Sequence, residues 1–153
     1  MFDSLIKEFP DCYLAADAQG RKGDCQFTLG RFDDAIASYR KALDDARESD
    51  PSLRDQLYYK LGQSYEKAAK LDEAFEWYSK AVYEQAAAPV ANAPPERFWM
   101  CKAGLAAGGV KEQRQQWREA IILYQKLADL CPDMKPLLDE RVRKLRVEHL
   151  ILF

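Results

Sequence analysis

The stretch GLAAGGVKE, residues 104–112, is where glycines and a lysine gather as they do in a phosphate-binding loop. Such a loop places Lys directly after Gly and then Ser or Thr, so that backbone N–H groups and the ammonium surround the phosphates. Here Val110 separates Gly109 from Lys111, Glu112 follows, and no strand-like run precedes. Gly104 and Gly108 read instead as small residues on one helix face, where they allow close approach. The single histidine, His149, stands beside Glu148, and the sequence ties no Ser or Cys to it as a nucleophile. Asp33-Asp34, Asp44-Asp45 and Asp72-Glu73 are carboxylate pairs, but adjacency alone does not make an acid–base dyad. Asp33-Asp34 and Asp72-Glu73 fall where helices begin, and negative charge there is favoured by the helix dipole. Cys12, Cys25, Cys101 and Cys131 include no CxxC pair, which with one His excludes the common zinc spacings. The cysteines are expected as small buried residues. Their even number permits two disulfides, and nothing in the spacing asks for them. No catalytic residue, metal or cofactor is expected, and the chain reads as non-enzymatic.

With 153 residues the chain can bury one core or a short array of repeats. The net charge of −2 gives no push toward nucleic acid or anionic lipid. It is unevenly spread: Lys+Arg against Asp+Glu is 7 versus 11 in residues 1–50, 5 versus 7 in 51–96, and 11 versus 7 in 97–153. Acidic and basic ends suit different neighbours. No apolar run approaches the roughly 20 residues needed to span a bilayer. The opening MFDSLIKEFPD has neither the basic region nor the cleavage site of a signal peptide.

Helical periodicity dominates, punctuated at Pro10, Gly30, Asp50-Pro51, Pro89, Pro94-Pro95, Pro132 and Pro136. The spacing predicts helices over 2–9, 12–29, 32–48, 51–68, 71–86, 95–113, 116–130 and 135–151. AAAPVANAPPE, 86–96, is a loop, since three prolines deny it a continuous helix. Three segments then align: GRFDDAIASYRKAL (30–43), AKLDEAFEWYSKAV (69–82) and QQWREAIILYQKLA (115–128). Each has a large apolar residue (Phe32, Leu71, Trp117), then Ala (Ala35, Ala74, Ala120), Tyr (Tyr39, Tyr78, Tyr124) and a second Ala (Ala42, Ala81, Ala128). Spacings of three and four draw one stripe on a helix. Upstream of each lies another helix with a glycine: Gly23, Gly62 and Gly104. Two helices approach closely where one presents Gly or Ala, and a ring from the partner fills the adjoining groove.

These residues resemble the tetratricopeptide repeat family, best in the middle repeat with Tyr58, Leu61, Gly62, Tyr65, Leu71, Ala74, Tyr78 and Ala81. The resemblance covers about residues 12–132. It implies an all-α antiparallel helix-pair solenoid of about three repeats: 12–48, 51–86 and 95–132. Residues 1–10 would be the tail of a preceding repeat, and 134–153 a capping helix. The first repeat carries Lys22 and Gln26 where the pattern has Leu and Tyr. In the third, the helix RFWMCKAGLAAGGVKEQ (97–113) requires an extra turn before Trp117. The alanine-to-alanine spacings of 39 and 46 also exceed the family period. The last helix, KPLLDERVRKLRVEHLILF, sets Leu137, Leu138, Val142, Leu145 and Ile151 near one face.

The resemblance further implies a non-enzymatic scaffold whose first helices line a groove for a protein or peptide partner. Carried over by position, the groove residues are Asp17, Asp24, Phe27 and Thr28, then Tyr59, Gln63, Glu66 and Lys67, then Phe98 and Lys102. Positions where some members clamp a peptide carboxylate with Lys and Asn hold Gly20, Asp24, Tyr59 and Gln63, which argues against a chaperone-tail receptor. The stretch FP-x3-LAADA is similar to bacterial cell-envelope repeat proteins, those of outer-membrane protein assembly and the Tol–Pal system. That similarity implies the C-terminal part of a longer solenoid in the periplasm, with the cytoplasm as the alternative compartment. The alternative expectation is a purely structural extension, or self-association through residues 1–29, with no ligand of its own.

Overall fold

The computed structural model describes residues 2–8, 13–46, 51–87 and 97–152. The first helix, α1 (Phe2–Glu8), packs on α2 (Tyr13–Thr28), with Lys22 Nζ donating to Asp3 at 2.6 Å. Three helix pairs follow in chain order: α2 with α3 (Phe32–Asp45), α4 (Pro51–Lys67) with α5 (Leu71–Ala87), and α6 (Phe98–Gln113) with α7 (Trp117–Leu130). A 3-10 turn, Pro132–Met134, leads into α8 (Lys135–Glu148), which lies against α7. No strand occurs among the described residues. Neighbouring pairs stack through α3 on α4, α5 on α6, and α4 on α6. The protein is therefore an all-α solenoid of antiparallel helix pairs resembling tetratricopeptide repeats. Most of the 86–96 loop lies outside the described residues, while Ala86 and Ala87 belong to α5.

Each pair closes through the same turn. Gly30, Ala69 and Gln115 adopt left-handed φ of 74°, 60° and 59°. The next residue in each case, Arg31, Lys70 or Gln116, donates its N–H five residues back, to the carbonyl of Gln26, Tyr65 or Lys111. This is the reversal that satisfies a helix's last carbonyls. Only Gly30 adopts that φ without steric cost. The end of α8 repeats the geometry, with Leu150 at φ 52° and Ile151 N–H donating to the Arg146 carbonyl.

Between the helices of a pair, the tyrosine stripe meets the glycines. A Cβ added to Gly23 would lie 2.5 Å from Tyr39, one at Gly62 2.4 Å from Tyr78, and one at Gly108 2.1 Å from Tyr124. The glycine of the third repeat is thus Gly108, not Gly104. With that register no extra turn is needed: each glycine precedes its left-handed residue by seven positions and its tyrosine by 16. The surplus length between repeats falls outside the pairs, in the connections after α3 and α5. Gly104 has its own reason. Where the first two repeats place the fully buried Ala42 and Ala81, the third places Leu127, and a Cβ on Gly104 would lie 2.5 Å from Leu127 Cδ1. One bulky residue in α7 is matched by one missing side chain in α6, as close packing demands.

Cys131 is buried as expected, but the cysteines otherwise depart from expectation. Cys101 of α6 and Cys131, which follows α7, form a disulfide across a Cα–Cα distance of 6.2 Å. Cys25 is free and exposed, and Cys12 lies outside the described residues. At the C-terminal end Leu138, Val142, Leu145 and Ile151 join the core of α6 and α7, whereas Leu137 is exposed. His149 stacks on Trp117, with ring centroids 3.8 Å apart and planes 5° off parallel.

Candidate partner-binding face

Helices α2, α4 and α6 present the residues that the sequence assigns to a groove. Three acids on this face are engaged within the protein. Tyr39 Oη donates to Asp24 at 2.7 Å, Tyr78 Oη to Glu66 at 2.8 Å, and Tyr124 Oη to Glu112 at 2.6 Å. Each acid also accepts a donor from the next first helix: Lys60 at 2.9 Å, Gln113 at 2.9 Å and Arg141 at 2.9 Å respectively. The unit links both helices of one pair to the next pair, or in the third repeat to α8, and hydrogen bonds to a charged acceptor are worth about 1.5–3 kcal/mol each when well formed. Burial first, then the hydrogen bond to the neighbouring acid, pushes the Tyr39, Tyr78 and Tyr124 phenols well above their ordinary value. Tyr58, held by Glu84, is pushed up to about 12 by the same causes. The acidic pairs also have structural partners. Asp33 pairs with Lys70 at 3.7 Å and Asp72 with Arg114, both tying one repeat to the next.

The remaining groove candidates divide. Phe27 packs edge-on against Phe32 at 5.3 Å and serves the core of the first repeat. Asp17 pairs with Arg21, and Thr28 Oγ1 donates to the Asp24 carbonyl within its own helix. Lys67 is exposed. The structure gathers Tyr59, Gln63, Phe98 and Lys102 at one place. Gln63 Nε2 donates to Tyr59 Oη at 3.4 Å, and the Tyr59 ring lies 5.7 Å from Trp99, which meets Phe98 edge-on at 5.1 Å. The Lys102 ammonium stands 4.8 Å from the Tyr59 ring, 5.3 Å from Trp99 and 5.5 Å from Phe98. A cation among three rings is attracted by their negative faces.

Sequence reasoning missed Trp99 and Leu105. Read from Gly104, Leu105 would take the position of Gln63. Read from Gly108, it takes the position of Tyr59, and Gly109 takes that of Gln63. The spacing of Gly108 to Gln115 and Trp117, equal to that in the other repeats, was the available signal. Phe98 is 61% exposed and Leu105 37%. Beside them opens a cavity of about 810 Å³, between α6 and the junction of α7 with α8. The Cys101–Cys131 disulfide, Leu130 and Met134 line it, with Arg97, Lys102 and Asp133 as its charged residues. Arg97 Nη1 donates to the Leu130 carbonyl at 2.9 Å, a second tie across the same junction. Pockets of this size and apolar character are suited to taking up side chains or small ligands. No cluster of metal-ligating residues occurs among the described residues. No described helix is long and apolar enough to cross a membrane.

Residues 14–83 match the family model described as tetratricopeptide repeat. The match spans the first two helix pairs and supports the likeness seen in the Gly–Tyr–Ala register. No curated protein matches the chain. Proteins of this repeat family generally mediate protein–protein interaction and are typically non-enzymatic.

Proposed function

We propose that this protein is a non-enzymatic interaction module that holds a peptide segment of another protein on the face formed by α4 and α6. The observation that carries the proposal is the cluster of Tyr59, Trp99, Phe98 and Lys102. It combines ring surface left open to solvent with a cation whose described neighbours are rings. Helical scaffolds recognise short segments through such apolar anchors and a few orienting polar groups. Asp24 and Glu66 act in this reading as braces of the scaffold, since their oxygens already serve a tyrosine and the next repeat. Tyr59, Gln63, Phe98 and Lys102 are the contact residues, with Lys67 and Asp17 as outlying charges. The likeness of FP-x3-LAADA to envelope repeat proteins supports a place in a multiprotein assembly at the bacterial cell envelope.

The test is comparative affinity purification with the wild-type protein and the double variant Phe98→Ala/Lys102→Glu. A partner retained by the wild type and lost by a folded variant supports the reading. A partner retained equally by both overturns it.

A further inference from the structure

We infer that the cavity between α6 and the α7–α8 junction is an anchor site for an aromatic side chain flanked by a carboxylate, carried on an acidic segment of a partner protein. This deepens the interaction reading above and rests on it.

Counted back from the left-handed residue that ends each first helix, Trp99 lies 16 positions before Gln115, and Met134 lies 16 before Leu150. Likewise Tyr59 lies ten before Ala69, and Leu105 ten before Gln115. Between α4 and α6 this pair of positions holds Tyr59 against Trp99, and the two rings fill the gap at 5.7 Å. Between α6 and α8 the same two positions hold Leu105 and Met134, both smaller, and both line the open cavity. The space is what remains when a Tyr–Trp pair is replaced by Leu–Met in an otherwise repeated arrangement. Nothing closes it by bringing α8 nearer. Arg141 ties α8 to Glu112 at the far end of α6, and the disulfide and the Arg97–Leu130 hydrogen bond hold the near junction. An apolar volume walled this way, with the exposed Phe98 ring among its lining residues, accepts a ring from outside in the place that Tyr59 and Trp99 fill between α4 and α6.

Charge selects what accompanies the ring. The residues lining the cavity carry two cations, Arg97 and Lys102, against one carboxylate, Asp133. The Lys102 ammonium meets three rings and no carboxylate among the described residues. A partner carboxylate beside the buried ring would reach an ammonium whose described neighbours leave its hydrogen-bonding capacity unused.

The experiment is selection from a displayed library of random heptapeptides on the full, oxidised protein. Affinities of the enriched synthetic peptide are then measured by fluorescence anisotropy. The expected selection is an aromatic residue beside Asp or Glu. Met134→Trp, which fills the cavity from within, should weaken binding on the order of tenfold or more while retaining the fold. Lys102→Glu should weaken it on the order of tenfold and remove the preference for acidic peptides. Enriched peptides lacking the aromatic–acidic pair overturn the inference, as does full affinity in folded Met134→Trp. Binding lost in Tyr59→Ala but kept in Met134→Trp overturns it while leaving the interaction reading standing. A wild-type dimer that Met134→Trp abolishes makes a second copy the occupant and also overturns it. Enrichment of no peptide at all counts against both readings.

Discussion

Gly108 and Gly109 are adjacent in one helix and should respond to alanine in opposite directions. Both lie inside α6, where Gly→Ala gains about 0.5–1 kcal/mol from restricted unfolded chain and better helix propensity. At Gly109 an added Cβ meets nothing within 4 Å, so the gain should appear in full. At Gly108 the Cβ would lie 2.1 Å from Tyr124 Cε1 and 2.8 Å from its Oη. Tyr124 cannot swing away cheaply, because it is 2% exposed and its hydroxyl is bonded to Glu112. Overpacking costs about 1–3 kcal/mol and losing the charge-assisted bond about 1.5–3 kcal/mol, so a net loss of roughly 1.5–5.5 kcal/mol is expected after the propensity gain. Thermal unfolding followed by circular dichroism resolves this, since 1 kcal/mol shifts Tm by about 2–4 °C in a domain of this size. Gly109→Ala should unfold a few degrees above wild type, and Gly108→Ala clearly below it. If both variants stabilise, or if Gly104→Ala is harmful and Gly108→Ala is not, the register of α6 against α7 is wrong.

Ala69→Gly should stabilise by about 1 kcal/mol, because a left-handed φ costs an L-residue roughly that and glycine nothing; urea unfolding midpoints measure it. Reducing the Cys101–Cys131 disulfide, which closes a loop of sequence separation 30, should cost about 3–4 kcal/mol on chain-entropy grounds, read as a lower urea midpoint in dithiothreitol and absent in Cys101→Ala/Cys131→Ala. Stability should also fall in alkali. The folded-state pKa of Tyr58 is raised from 10.0 to about 12, and those of Tyr39, Tyr78 and Tyr124 are raised further. Above pH 10.0 the unfolded phenols lose protons that the folded ones keep, so their contribution is complete below pH 10.0 and is lost as pH climbs through the folded values. Tm measured against pH should drop steeply above 10.0 in the wild type and less steeply in Tyr78→Phe; parallel profiles would refute the assignment.

What the sequence determined by itself was local and periodic. The Phe/Leu/Trp–Ala–Tyr stripes, the stops at Gly30 and Asp50-Pro51, and the acids in the first turns of α3 and α5 are all encoded within a turn or two of chain. A helix repeats every 3.6 residues whatever it packs against, so these features can be read without knowing the neighbours. The tertiary structure decided which of two glycines on one face of α6 lies under Tyr124. Gly104 and Gly108 are one turn apart and share a stripe, so only the partner helix distinguishes them. It also decided that Cys101 and Cys131 meet, that Asp24 and Glu66 brace tyrosines and the next repeat, and that Trp99 rests on Tyr59. Those contacts join residues 12 to 47 positions apart, and their geometry depends on how one helix slides and rotates against another. Helix sliding of a single turn leaves every sequence period intact while exchanging every contact, which is why periodicity revealed the elements and only packing revealed which residues meet.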